Sequence, residues 1–162
     1  RRRPVAAAWR AVRAPLPAAA LHLLAVAVWH LPGPYQAALR HEGVHALEHA
    51  SFFGSALLFW WALLHARGAA RGPALVGLFV AMLVTGALGA LLATASRLWY
   101  PAYAATTAPW GLLPLEDQEL AGIIMWVPGG IAYLLAALAV LAAVLRDAGP
   151  RPAPRALGAV RP

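Results

Sequence analysis

Long uncharged stretches alternate with short arginine-bearing segments along this chain. Residues 73–96 contain no charged side chain, and residues 120–145 contain none either. Each stretch exceeds the ~20 residues that an α-helix needs to cross the hydrocarbon core of a bilayer. The pattern therefore predicts two transmembrane helices, one from Pro73 to Ser96 and one from Leu120 to Leu145.

Two further apolar segments precede these spans. Leu16 to Leu31 is shorter and is followed by prolines, which stop a helix. Val44 to Leu64 is long enough to cross, although its first turns carry ionisable residues that are costly in lipid unless they face protein or a bound ion. We predict that both segments are spans, joined by a turn at residues 30–43. The predicted fold is an all-α membrane bundle of four transmembrane helices.

The arginines define the expected orientation of these spans. All 13 basic residues are arginine, and only Arg40 and Arg97 lie outside the two termini and the link between the second and third spans. Cytoplasmic flanks carry the excess of basic residues, so both termini are expected in the cytoplasm. The net charge of +7 is then explained by topology and by contact with anionic lipid headgroups of the bilayer. Basic and aromatic residues are not interleaved, so we expect no nucleic-acid partner.

Composition agrees with this organisation, since 62% of the residues are hydrophobic and 12% are charged. A soluble domain of this size could not bury so much apolar surface. We divide the chain into a basic cytoplasmic leader or interfacial segment at 1–15, a four-helix transmembrane domain at 16–146, and a disordered Pro- and Arg-rich cytoplasmic tail at 147–162. Because the sequence does not begin with methionine, we also expect it to be part of a longer protein.

Three histidines stand at the start of the second predicted span. His41, His45 and His49 recur every four residues, so a helix would place them on one stripe. The chain has no cysteine, so any metal must be held by histidine, methionine or carboxylate. The predicted topology brings His30 and Met125 to the same outer side. Imidazole and thioether ligands without thiolate favour copper over zinc or iron.

Two other types of site fit parts of this region. The segment HEGVH at 41–45 matches the zinc-protease pattern H-E-x-x-H, and HALEH at 45–49 matches its reversed form. A hydrolytic zinc site would need a third ligand, which the acids at 116–119 offer. A haem held by two histidines on facing helices, with His30 opposite His49, is a third alternative.

Three ordered segments resemble one known family. They are WHLPGPYQAALRHEGVHALEHASFFGSALLFWW, GALLATASRLWYPAY and GLLPLEDQELAGIIMWVPGGIAYLLA, and the resemblance covers roughly residues 16–145. They are similar to the multi-span CtaG family of cytochrome c oxidase assembly proteins, which occur with caa-type oxidases in bacteria. Members usually have more than four spans, so the resemblance implies that this chain corresponds to the C-terminal portion.

The resemblance also implies a function and a set of residues. The family pattern includes His30, His45, Glu48 with His49, and the segment from Asp117 to Met125, but it does not include His41 or Glu42. It implies a non-enzymatic assembly factor in the plasma membrane that helps to deliver copper to the CuB centre of the oxidase catalytic subunit. We therefore predict a transient copper site at the outer side, with carboxylates that orient the ligands. The predicted ligands are His30, His45, His49 and Met125, and the predicted orienting residues are Glu48 and Asp117. Whether the chain self-associates is left open by the sequence, and a purely scaffolding role is the remaining alternative.

Overall fold

The computed structural model describes Val5, Trp9 and residues 11–148, and these residues form helices and connecting turns with no β-strand. Most of the predicted leader at 1–15 and all but the first two residues of the predicted tail at 147–162 lie outside the described residues. From residue 15 onward the helices are α1 (Pro15–Trp29), α2 (Pro32–Arg40), α3 (Glu42–Leu64), α4 (Arg71–Ala93) and α5 (Pro114–Ala148). Short 3₁₀ turns at Gly68–Ala70, Pro101–Ala105 and Ala108–Trp110 lie in the connections.

The helices confirm an all-α membrane bundle. By length and hydropathy, α3, α4 and α5 are each able to cross a membrane. The helices α1 and α2 reach the required length only as a pair, and they are bent by 73° at their junction. The bundle therefore has three helices that can each cross a membrane, and a fourth crossing if the bent pair of α1 and α2, which we call the broken span, counts as one.

The region between the first two spans differs from the prediction. A turn was expected at residues 30–43, but Pro32–Arg40 is helical. Proline is well tolerated in the first turn of a helix, because the backbone N–H that it lacks would have no intrahelical partner there. Pro32 therefore both ends α1 and begins α2, and the chain bends between the two helices without a long loop.

The helices run antiparallel, so each end of the bundle collects particular residues. Near the start of α1, Ala19 approaches Gly77 of α4 and the end of α3 at Leu63. At the opposite end, the Tyr100 hydroxyl in the α4–α5 connection reaches the backbone of His30 after α1. We call the first end the inner end and the second the outer end, following the orientation that the arginines predict.

Small residues bring α4 and α5 into close contact. A Cβ atom placed on Gly122 of α5 would lie 2.5 Å from the backbone nitrogen of Ala93 and 2.6 Å from the carbonyl oxygen of Gly89 on α4. Only glycine permits helix backbones to approach so closely. This contact fixes α5 against α4 along the outer half of the bundle, and α5 continues unbroken through Pro128.

The core between the helices is small and mostly apolar. The largest side chains buried without residual exposure are Phe59, Leu63 and Leu78, and alanines of α1 and α4 surround them. One buried polar pair joins α1 to α3, where His22 Nδ1 lies 3.1 Å from the Ser55 hydroxyl. At the inner end, Arg71 of α4 pairs with Asp147 of α5. These contacts fix the helices relative to one another and so position the residues of the outer end.

Candidate metal-binding site and outer cavity

Three side chains in the first turns of α3 form a compact group of metal-capable atoms. His45, Glu48 and His49 each offer one ligand atom, and these atoms lie within 4.8 Å of one another. We call these three residues the histidine group. They converge because residues three and four apart are neighbours on a helix surface. The two imidazole rings are nearly parallel, with centroids 4.4 Å apart and 27° between the ring planes.

The members of the histidine group differ in exposure. The His49 side chain is 69% exposed, whereas that of Glu48 is only 10% exposed. Helix geometry explains the difference, because Glu48 lies on the side of the stripe that faces the bundle and His49 lies on the other side. The carboxylate thus lies beneath the group, and the imidazoles are exposed on the outside of the bundle.

The spacing of these atoms is close to that of a metal site. Two donor atoms bound to one ion at about 2.1 Å each are at most about 4.2 Å apart. The ligand atoms of the histidine group lie within 4.8 Å of one another, which is slightly more than this limit. A small rotation of the exposed imidazoles would bring the atoms within it. Glu48 Oε2 is 3.9 Å from His49 Nδ1, which is too long for a hydrogen bond. Glu48 Oε2 therefore forms no hydrogen bond with His49 Nδ1, and the orienting role of Glu48 stays a prediction.

His41 does not join the histidine group. The helix begins at Glu42, and His41 precedes it with an extended backbone, φ −131° and ψ 114°. His41 therefore lies before the helix, and only His45 and His49 of the three histidines share the helical stripe. The H-E-x-x-H pattern needs both histidines on one helix face, and the segment 41–45 does not provide this arrangement.

A cavity of about 500 Å³ lies at the outer end, between the broken span and the α4–α5 connection. Three of the predicted residues line this outer cavity, namely His30, Asp117 and Met125. Tyrosine, glutamine and apolar side chains complete the wall: Tyr35, Tyr100, Tyr103, Gln118, Leu92, Leu98, Pro114 and Ala121. The outer cavity thus combines an imidazole, a thioether and a carboxylate in a partly open space with aromatic walls.

Three tyrosines hold one wall of the cavity together. The rings of Tyr35 and Tyr100 stack with centroids 4.0 Å apart. The hydroxyl groups of Tyr35 and Tyr103 are 3.2 Å apart, within hydrogen-bonding distance. Tyr100 donates its hydroxyl hydrogen to the His30 carbonyl oxygen at 2.8 Å, and burial raises its pKa to about 12. The α4–α5 connection is thereby fastened to the bend between α1 and α2.

Gln118 fixes the opposite wall. Its side-chain oxygen accepts a hydrogen bond from the backbone N–H of Trp99 at 2.6 Å, and its amide nitrogen donates to the Arg97 carbonyl at 3.3 Å. The residue is buried. Both halves of the amide are satisfied, so the start of α5 is held against the segment that follows α4.

His30 presents a free ring nitrogen. Its Nδ1 lies 2.8 Å from the Val26 carbonyl oxygen, which can only accept a hydrogen bond. The hydrogen is therefore on Nδ1, and the lone pair of Nε2 remains available as a metal ligand. The His30 ring also lies 6.1 Å from the Phe52 ring, which places it against α3.

The structure thus arranges the six predicted site residues in two groups at the outer end. His45, Glu48 and His49 belong to the histidine group, and His30, Asp117 and Met125 line the outer cavity. Within residues 11–148, the Asp117 carboxylate forms no hydrogen bond or ion pair with a histidine, so no orienting contact accompanies it here.

Sequence reasoning missed most of the polar cavity wall. No cavity role was predicted from the sequence for Tyr35, Tyr100 or Tyr103. Their hydroxyl groups are instead used inside the protein, for the bonds that link the α4–α5 connection to the broken span. The only available signal was the presence of tyrosine near both breaks in the hydrophobic pattern, since buried tyrosine hydroxyls usually have a partner.

The fold and the outer end together define a class of protein: a multi-span α-helical membrane protein with exposed histidines and a partly open cavity with aromatic walls on one side. Comparison with family models identifies the group within this class. The model for the cytochrome c oxidase caa3 assembly factor matches residues 1–147, and the chain belongs to this family. The family resemblance of the three sequence segments is thereby confirmed. The comparison with curated proteins gave no match, and the comparison with solved structures gave none.

Proposed function

We propose that this chain assists assembly of a cytochrome c oxidase by carrying copper on the outer side of the plasma membrane. Its destination is the CuB centre of the catalytic subunit. The observation that supports this role is the histidine group, in which His45, Glu48 and His49 offer three ligand atoms within 4.8 Å. Membership of the oxidase assembly factor family supplies the partner.

The chemistry of the outer end suits copper as a cargo. Imidazole and thioether bind copper well, and the chain contains no thiol that would favour zinc. The exposed imidazoles leave the coordination set accessible from outside the bundle, as exchange with a partner requires. His30 and Met125 in the outer cavity provide a second pair of suitable donors. Transfer of an ion needs binding and release and breaks no covalent bond, so the proposed role is not enzymatic.

Copper binding by the purified full chain tests the proposal. The chain in detergent would be titrated anaerobically with Cu(I) against a coloured competing chelator. The double variant His45→Ala with His49→Ala is expected to weaken binding at least about tenfold, because even partners of metal ligands contribute 10–100-fold. His65→Ala is the matched control, because its Nδ1 bonds the Trp61 carbonyl as that of His49 bonds the His45 carbonyl, yet it lies at the inner end of α3.

A cellular measurement connects binding with assembly. Cells that depend on this chain would be assayed for oxidase activity and for copper content of the purified oxidase. The double variant should give oxidase depleted of copper, and His65→Ala should give normal oxidase. Unchanged copper affinity in the double variant would contradict the carrier role, and a scaffold for oxidase subunits would then be the better explanation.

A further inference from the structure

A second concave surface lies at the inner end, along the last turns of α3. It has a volume of about 730 Å³ and is lined by Trp9, Arg13, Gly54, Leu57, Leu58, Trp60, Trp61, Leu64 and His65. We call it the inner groove. It lies at the far end of the bundle from the histidine group and the outer cavity, so the proposed copper chemistry does not use it.

An arginine marks the mouth of the inner groove. The guanidinium carbon of Arg13 lies 3.8 Å from the centroid of the Trp61 ring and 5.6 Å from that of Trp9. Both distances are in the range of a cation–π interaction. The backbone N–H of Arg13 also bonds the Trp9 carbonyl at 3.1 Å. The guanidinium thus lies over the Trp61 indole, and a planar guanidinium can stack on an aromatic face and still donate hydrogen bonds.

Among the described residues, no acidic side chain pairs with this cation. All the acidic residues of the chain lie in the part that the structure describes, and its ion pairs are His49 with Glu48 and Arg71 with Asp147. Arg13 is only partly exposed. A partly buried arginine beside apolar walls gains from an anion that arrives with its own apolar body.

The dimensions of the groove match one leaflet of a bilayer. From Gly54 to His65 the helix α3 rises about 16 Å, close to half of the ~30 Å hydrocarbon core. The wall along this length is apolar, and Leu57 and Leu64 are 56% and 54% exposed. A Cβ atom on Gly54 would meet nothing within 4 Å, so the deep end of the groove is open. A soluble anion would leave this whole wall uncovered.

We propose that the inner groove is a binding site for an anionic phospholipid. The phosphate lies at the Arg13 guanidinium and one acyl chain follows α3 towards Gly54. Trp9 and Trp61 sit at headgroup level, as is usual for tryptophan in membrane proteins. The site lies at the end of the bundle that the arginines assign to the cytoplasm.

Native mass spectrometry of the full chain tests this site. The delipidated protein in detergent would be titrated with phosphatidylglycerol or with phosphatidylcholine that has identical acyl chains. Arg13→Gln should reduce the preference for phosphatidylglycerol about fivefold, which corresponds to the contribution of one basic residue at an anionic surface. Arg146→Gln is the matched control, since Arg146 is an exposed arginine near the inner end of α5 and outside the groove, and it should leave the preference nearly unchanged.

A second variant separates the stacking from the charge. Trp61→Leu keeps Arg13 but removes the ring beneath it, and should reduce the preference about two- to fivefold, the value of an exposed cation–π contact. Circular dichroism would verify that each variant is folded. Equal losses in the Arg13 and Arg146 variants would show unspecific surface charge and overturn the proposal. Displacement of the lipid by soluble glycerol 3-phosphate would overturn it as well, because a free phosphate would then be the ligand.

Discussion

Replacement of Gly122 by alanine should weaken the bundle through the contact between α4 and α5. The added Cβ atom would lie 2.5 Å from the Ala93 nitrogen and 2.6 Å from the Gly89 carbonyl oxygen. These neighbours are backbone atoms of a packed helix, so they cannot rotate away as a side chain could. The two helices must separate locally by about 1 Å to restore ordinary van der Waals distances.

Two opposing effects determine the size of the change. Overpacking of a tightly fitted contact costs about 1–3 kcal/mol. Alanine in place of glycine in a helix stabilises the folded state by about 0.5–1 kcal/mol, because the unfolded chain loses conformational freedom. The clash is the larger effect here because it involves several backbone atoms at once. We expect the free energy of unfolding to fall by about 1–2 kcal/mol.

Unfolding by sodium dodecyl sulfate in mixed micelles measures this difference. Far-UV circular dichroism would follow the helix content as the detergent fraction increases. Gly129→Ala is the matched control, because it lies on the same helix and a Cβ atom there meets nothing within 4 Å. It retains the gain in helix propensity without the clash, so it should be as stable as the wild type or slightly more stable.

The comparison of the two alanine variants decides whether the reasoning holds. If Gly122→Ala unfolded at the same detergent fraction as Gly129→Ala, the helices would not approach as closely as the structure shows. The contact would then contribute nothing to the free energy of unfolding, and small residues in α4 would have no special packing role.

Three further changes test other contacts. Ser55→Ala should lower the free energy of unfolding by about 1–2 kcal/mol, because buried His22 loses its hydroxyl partner, and the same detergent titration measures it. Arg71→Gln and Asp147→Asn should each lower the free energy of unfolding by less than about 1 kcal/mol, because the Asp147 carboxylate is largely exposed. A double-mutant cycle should show that the two losses are not additive. Burial raises the pKa of Tyr100 from 10.0 to about 12, so the folded state holds the phenol proton more tightly. Stability should be constant below pH 10 and decline as the pH rises towards 12, and Tyr100→Phe should show a smaller decline; an equal decline in that variant would contradict the assignment.

The continuous spans could be predicted because their signal is one of length. The stretches without charge at 73–96 and 120–145 lie within α4 and α5 apart from a few residues after α4, and lipid tolerates hardly any other structure there. The broken span was harder to predict, since proline can both stop one helix and start the next. Pro32 gave a correct end for α1, but nothing in the local pattern indicated that residues 32–40 would resume a helix at 73°.

The outer end could be located from the sequence, but its division into two groups could not. Antiparallel spans dictate that His30, His45 and Met125 come to one side. Which of them meet depends on the rotation of each helix about its axis, and that rotation is set by packing. The aliphatic and aromatic core around Phe59 fixes α3 so that Glu48 faces inward and His49 outward. A sequence with few charged residues and many alanines contains little information about such rotations.

The glycine contact is mechanically coupled to the outer cavity but separate from the histidine group. Leu92 on α4 and Ala121 and Met125 on α5 line the outer cavity, and they flank the point where Gly89 meets Gly122. A 1 Å separation at that point, as estimated above for alanine at 122, must move the Met125 wall of the cavity. The histidine group lies entirely within two turns of α3, so its spacing is set by the helix itself and not by the position of α5. Copper binding by His45 and His49 should therefore persist in a Gly122→Ala chain that is less stable, whereas any contribution of Met125 should change with the cavity.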